Sequence, residues 1–291
     1  MKISTEIGSA TKITGEEKAV EYIGKAGFDA WDFSMYNMCS FDFNTNKVIA
    51  NPHPLNGNEY LKFARKLKQI GLDNGIVCNQ SHAPFPSECL EIKSYLKRAI
   101  ECTAEAGGRI CVIHPCETGS TGNLEMYLDL LDFAKDYNVK VATENMYSWS
   151  NEKNEAIASV CATPQSYIKL LNEVNDENFV ACLDIGHAEM KGTGTNAAEM
   201  IRTLGSKLEA LHIHDNDKWH DSHQIPFSMS IDYQEIVKTL IEVNYNRYLT
   251  LEAKSYLNTY SEENILDGIK NLAISAKKLA EMFELTRREE E

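Results

Sequence analysis

Hydrophobic and polar positions follow two rhythms that alternate along the chain. Short apolar segments are followed by longer amphipathic ones, and the alternation repeats eight times. The short segments predict strands over 2–7, 28–34, 75–81, 109–114, 139–144, 179–184, 209–214 and 248–252. The longer ones predict helices over 15–26, 57–72, 87–106, 122–137, 163–174, 196–205, 231–243 and 262–283. In the second helix, Tyr60, Phe63, Ala64, Leu67 and Ile70 recur at spacings of three and four, which puts them on one face. Thr163-Pro164 is a cap residue before a proline at the first helical position. Gly71, Gly107-Gly108 and Gly205 fall where helices should stop.

Eight strand–helix units with no Pro/Ser-rich linker between them predict an α/β chain folded as one (β/α)8 barrel over residues 1–291. An open doubly wound sheet is the alternative. Its G-x-G-x-x-G turn is missing, because Gly8-Ser9-Ala10-Thr11 does not fit it. Two long polar connections, 35–56 and 145–162, carry aromatic residues and follow the second and fifth strands.

Composition narrows the picture further. With 43% apolar residues the chain can fill a large core, and no apolar run approaches the length of about 20 that a membrane helix needs. The N-terminus starts directly as a strand, with no secretion-signal pattern, so a cytoplasmic location is expected. A formal charge of −14 counts against nucleic-acid or membrane partners. The eight cysteines form no C-x-x-C pair, and several sit inside apolar runs, as reduced buried thiols do. The oligomeric state is left open; an exposed apolar helix face would favour a homo-oligomer.

Ionisable residues gather at the C-terminal ends of the strands. Those ends read Gln80-Ser81-His82, His114-Pro115, Glu144-Asn145, Asp184-Ile185-Gly186-His187, His212-Ile213-His214-Asp215 and Glu252-Ala253. In a barrel these ends share one mouth, where barrel active sites lie. Carboxylates crowded there repel one another unless a cation sits among them. Imidazoles mixed with carboxylates suit Zn, Mn, Co or Fe better than Ca or Mg. Strand parity puts Ala210, His212 and His214 on the inward face, with His212 one layer deeper than His214. Cys182 shares the inward parity of Asp184 and is read as barrel filling.

Taken in order, these motifs resemble the xylose isomerase-like TIM-barrel superfamily, which includes sugar and sugar-phosphate isomerases and epimerases and also endonuclease IV. The matching pieces are His82-Ala83-Pro84-Phe85, His114-Pro115, Glu144-Asn145, Cys182 to Ala188, His212 to Asp215, Asp221-Ser222-His223 and Leu251-Glu252. The epimerase pattern implies one divalent ion, Mn, Zn or Co, held by Glu144, Asp184, His212 and Glu252. It implies that Glu144 and Glu252 move a proton through a metal-stabilised enediolate, one as base and one as acid. His187 becomes a substrate contact, and His82, His114, His214, Asp221 and His223 join it around a sugar or sugar phosphate.

The same resemblance keeps other chemistry open. Endonuclease IV uses three zinc ions on nine positions, and this chain has a candidate for each: His82, His114, Glu144, Asp184, His187, His212, Asp221, His223 and Glu252. It departs from that pattern at Ile185-Gly186, where the nuclease has Thr-Cys, and at His214, where the nuclease has Asn. Pro226 to Ser230 replaces a Gly-Glu-Gly turn common in the superfamily, which weakens the transfer of roles to Asp221 and His223. A cyclitol or sugar-acid dehydratase on the same scaffold is a further alternative. Asp32 falls on the superfamily's acidic position in the second strand. Tyr147, Trp149 and Trp219 are candidates for stacking on a sugar, and Lys218 and Lys254 for holding a phosphate.

Overall fold

Among the residues that the computed structural model describes (1–87, 89–117 and 120–290, with backbone alone for 120, 121 and 290), the strands run in this order. They are β1 Lys2–Glu6, β2 Ala30–Ser34, β3 Ser40–Asp42, β4 Lys47–Ile49, β5 Val77–His82, β6 Ile110–Val112, β7 Lys140–Glu144, β8 Tyr147–Ser150, β9 Glu155–Ala158, β10 Phe179–Asp184, β11 Leu208–His212 and β12 Tyr248–Leu251. The helices are α1 Gly8–Thr14, α2 Glu16–Ala26, α3 Tyr60–Asp73, α4 Ile92–Ala106, α5 Ser120–Asp136, α6 Pro164–Val174, α7 Ile185–Glu189, α8 Ala197–Leu204, α9 Tyr233–Glu242, α10 Lys254–Leu257 and α11 Ile265–Glu290.

Eight strands form one parallel sheet in the order β11-β10-β7-β6-β5-β2-β1-β12. Its two edges meet where Ile213 N donates to Thr250 O and Glu252 N donates to Ile213 O, each at 2.9 Å. The result is a (β/α)8 TIM barrel, as the alternation predicts. On β2, Trp31 and Phe33 face outward into the helix layer, while Asp32 and Ser34 face the barrel axis. Ile110, Val112, Ala142, Val180, Cys182 and Ala210 fill one side of the barrel interior. Ser4, Asn79, Gln80 and Thr250 make a polar side opposite, linked by hydrogen bonds. All eight cysteines are buried, and no helix among the described residues is long and apolar enough to cross a membrane.

Several features depart from the sequence pattern. The two long connections contain antiparallel hairpins, β3–β4 and β8–β9. Short helices α1, α7 and α10 follow β1, β10 and β12 directly. The fourth predicted strand, 109–114, shortens to Ile110–Val112. The predicted helix over 87–106 starts at Ile92, and its residue Glu88 lies outside the described residues. The last helix continues through the charged tail to Glu290; Glu291 lies outside the described residues. Gly71 does not end α3 but lies within it; the glycine there makes room for Trp31, whose Nε1 a Cβ would approach to 2.9 Å. Thr163 caps α6 as expected, with a reciprocal bond to Ser166.

Candidate metal centre and active site

Four strand ends deliver the central group. Glu144 closes β7, Asp184 closes β10, His212 closes β11, and Glu252 follows β12. Each is at most 2% exposed, and one ligand atom from each lies within 4.8 Å of the others. His212 Nδ1 is 3.1 Å from Glu144 Oε1 and 3.7 Å from Glu252 Oε2. Glu144 Oε2, Asp184 Oδ2 and His212 Nδ1 are buried without hydrogen-bond partners. Leaving a polar atom buried and unmet costs about 1–3 kcal/mol, and more when it is charged. Three carboxylates around one imidazole therefore fit a divalent cation, which would meet these orphaned atoms together.

Three further histidines share one orienting device. His82 Nδ1 lies 2.8 Å from the Ala83 carbonyl, His187 Nδ1 lies 3.0 Å from the Asn145 carbonyl, and His223 Nδ1 lies 2.7 Å from the Glu252 carbonyl. A carbonyl only accepts, so each Nδ1 carries the hydrogen and each Nε2 is turned to the mouth. His82 Nε2 faces His114 Nε2 at 2.9 Å, and both sit beside Glu144 Oε2, at 3.5 and 3.4 Å. His187 and His223 direct Nε2 at Asp221 Oδ2, at 3.5 and 3.1 Å.

His214 joins the Asp221 group from β11's extension. It stacks on His223 with centroids 3.8 Å apart. Its Nε2 lies 3.1 Å from Asp184 Oδ1, yet neither ring nitrogen makes an aligned hydrogen bond. The segment that replaces the Gly-Glu-Gly turn is anchored by Asp215, whose carboxylate accepts from Met229 N and Ile231 N. Backbone bonds between Asp215 and Gln224 fix the other side, so Asp221 and His223 reach the mouth despite the altered turn.

Charge within the cluster is unevenly distributed. Burial pushes Glu144 up, but His212, His114 and His82 outweigh it and hold its carboxyl well below the usual range. Burial is likewise overcome at Glu252, by Lys254, His212 and His223. Burial opposes a charge on His187, yet Asp184 and Asp221 raise its pKa to about 10. Asp221 is held far down, against burial, by His187 and His223. Cys182 lies near Glu144 and His212, but burial pushes its thiol up to about 12. It stays a neutral filler, as its inward position suggests.

All ten site residues named from the sequence meet at this mouth. Two others there, Tyr36 and Glu6, were not named from the sequence. The Tyr36 hydroxyl donates to Glu252 Oε1 at 2.9 Å. Glu6, at the end of β1, accepts from Ser34 Oγ at 3.0 Å, and burial followed by Glu252 raises its pKa. Lys254 Nζ sits 2.8 Å from Glu252 Oε1, and Lys218 Nζ sits 3.0 Å from Glu189 Oε2. Tyr147 packs edge-on against His187 and its hydroxyl donates to Asp221. Trp149 stacks on His220, and Trp219 lies farther out under Lys191. The signal for Glu6 was its place at the C-terminal end of a barrel strand.

The pattern described as xylose isomerase-like TIM barrel matches residues 20–274. The chain is 25% identical over 282 residues to protein MJ1311 of Methanocaldococcus jannaschii, covering 90% of this chain and 87% of that one. Its fold is similar to a D-tagatose 3-epimerase-like protein, with a TM-score of 0.70, 20% identity, and coverage of 97% of this chain and 99% of that one. It is similar in the same degree to the IOLI protein, whose structure carries a zinc atom, with a TM-score of 0.70, 17% identity, and coverage of 98% and 99%.

Proposed function

Because the chain belongs to the xylose isomerase-like TIM barrel family, we propose that it is a metal-dependent sugar isomerase or epimerase. Glu144, Asp184, His212 and Glu252 would hold one divalent ion, Mn, Zn or Co. The observation that carries this reading is the convergence of three buried carboxylates and one imidazole, with orphaned polar atoms, at the barrel mouth. A divalent ion there supplies positive charge against the charge that develops on a sugar carbonyl oxygen as the neighbouring carbon loses a proton.

The chain's own residues do the rest. Glu252 is the base. Lys254 and Tyr36 hold its Oε1 from one side, which keeps the carboxylate ionised and aimed. Glu144 is the second carboxylate that moves the proton. Its Oε2 lies beside the Nε2 atoms of His82 and His114. His187, His214, Asp221 and His223 bind and orient sugar hydroxyls. Lys218 and Lys254 are already paired with carboxylates, which favours a free sugar over a sugar phosphate. The similarity to a D-tagatose 3-epimerase-like protein supports the substrate class. The acidic mouth and net charge of −14 oppose a nucleic-acid partner, and eight buried cysteines with no C-x-x-C pair suit the reducing cytoplasm.

The test is solvent exchange. Protein incubated with a panel of ketoses and Mn, Co or Zn in D2O should place deuterium on the carbon beside the carbonyl, and chelator should stop it. Absence of exchange with every ketose and metal would sink the proposal.

One observation favours a second reading, a zinc phosphoesterase. Two more ligand groups flank the first: His82, His114 and Glu144, and His187, His214, Asp221 and His223. In the second group, however, Asp221 Oδ2 already has His187 and His223 beside it, at 3.5 and 3.1 Å. Metal-dependent nicking of abasic DNA would support this reading in place of the first.

A further inference from the structure

His212 is held from below as well as from the mouth. Its Nε2 lies 3.4 Å from Asp32 Oδ2, across the barrel interior from β11 to β2. Asp32 is fully buried. The same Oδ2 accepts from Gln80 Nε2 at 2.9 Å, and Oδ1 is buried without a partner. An oxygen that already accepts one hydrogen bond there is placed to accept a second from His212. With the hydrogen on Nε2, His212 turns Nδ1 towards Glu144 Oε1 and Glu252 Oε2, where a cation would meet it.

Asp32 is itself fixed by neighbours that face away from the mouth. The β2–β5 register shifts by one residue between Trp31 and Asp32, so that Asp32 pairs with Gln80 and Asn79 is extra. Such a bulge re-aims a side chain, and here Asn79 reaches Ser4, Thr250 and Gln80. Gln80 Oε1 also accepts from Thr250 Oγ1 at 3.3 Å. A continuous polar chain thus runs Ser4–Asn79–Thr250–Gln80–Asp32–His212. It occupies a barrel interior where apolar side chains would otherwise pack, as they do on the opposite side.

We propose that Asp32, locked by Gln80, is the positioning residue for His212: it fixes the imidazole with hydrogen on Nε2 and Nδ1 open to the cation. The inference rests on the proposed cation at Glu144, Asp184, His212 and Glu252. Groups that orient a metal-binding histidine through its second nitrogen change metal affinity by about 10–100-fold when removed. A residue serving only to fill the barrel would leave both the Nε2–H environment and the affinity alone.

The test uses the full chain labelled with 15N-histidine, and Co(II) as the probe. In metal-free wild type, the ring signals lost in His212→Gln should report hydrogen on Nε2 held by a carboxylate. Asp32→Asn, Asp32→Ala and Gln80→Leu should shift that Nε2–H signal. The two Asp32 variants should also bind Co(II) about 10–100-fold more weakly, with an altered visible spectrum. A wild-type Nε2–H signal and wild-type Co(II) affinity in Asp32→Asn would overturn the proposal. Asp32→Asn preserves shape, so it decides the matter if Asp32→Ala fails to fold. If wild type takes up no Co(II), the reading of the site as a metal centre fails, while the Nε2–H signal of metal-free His212 still tests the role of Asp32.

Discussion

A Cβ added at Gly186 would lie 2.0 Å from His214 Cε1 and 2.3 Å from its Nε2, so the ring of His214 stands where any side chain at 186 would begin. Gly186 lies in helix α7 and has no left-handed backbone. Space alone requires glycine here. The two positions at which the sequence departs from the endonuclease IV pattern are therefore one structural unit. Gly186→Ala is expected to displace His214 from its stack on His223 and lower stability by about 1–3 kcal/mol. His214→Asn should recover part of that loss when combined with it. Denaturant unfolding of the two single variants and the double variant checks this; simple additivity would contradict the coupling.

In the proposed reaction Glu144 and Glu252 move the proton. Glu→Gln at either keeps the shape and removes charge and basicity. Exchange and turnover should fall together by about 10²–10⁴-fold, while circular dichroism stays native. His82→Gln should leave the metal bound, because the central group does not use His82. Near-normal exchange in both Glu variants, with an emptied site in His82→Gln, would reassign the roles.

Much of this site could be read from strand-end motifs alone, because each proposed ligand lies at or just past the end of a strand whose apolar rhythm is plain. Other parts could not. Asp184 doubles as the N-cap of α7, its side chain accepting from His187 N at 2.8 Å, and a five-residue helix is too short to show periodicity. The hairpins β3–β4 and β8–β9 pair only a few residues each. Their one local signal is an asparagine in each turn, Asn46 and Asn154, both with φ of 53°. Tyr36 lies in an irregular stretch after β2, and only the fold brings its hydroxyl to Glu252. The polar barrel interior depends on the bulge at Asn79, which strict alternation conceals.

Tyr167 ties together the strands that carry Glu144 and Asp184. Its buried hydroxyl lies 2.5 Å from the Thr143 carbonyl and 2.7 Å from the Cys182 carbonyl. Tyr167→Phe leaves both buried oxygens without this donor and should cost about 1–3 kcal/mol. Metal affinity should fall with stability, since β7 and β10 lose a shared anchor. Thermal melts and Co(II) titration check both effects; an unchanged melting temperature would contradict them.

In the metal-free protein, burial disfavours a charge on His187, but Asp184 and Asp221 raise its pKa to about 10, above the ordinary imidazole value of about 6.5. The folded state thus binds this proton more tightly than the unfolded chain does. Its stabilising contribution is complete below about pH 6.5 and is lost as pH rises through about 10, with an upper limit of about 5 kcal/mol. The stability of chelator-treated protein should fall over this window, and more steeply in wild type than in His187→Gln. Parallel curves would contradict the assignment.

Anomalous scattering from crystals grown with Mn, Co or Zn, measured on both sides of each metal edge, locates and counts the ions directly. The expected result is a single peak among Glu144, Asp184, His212 and Glu252, with none at the His187–His214–Asp221–His223 group. An empty central group, or three peaks spread over all the ligand groups, would contradict the one-ion isomerase or epimerase centre.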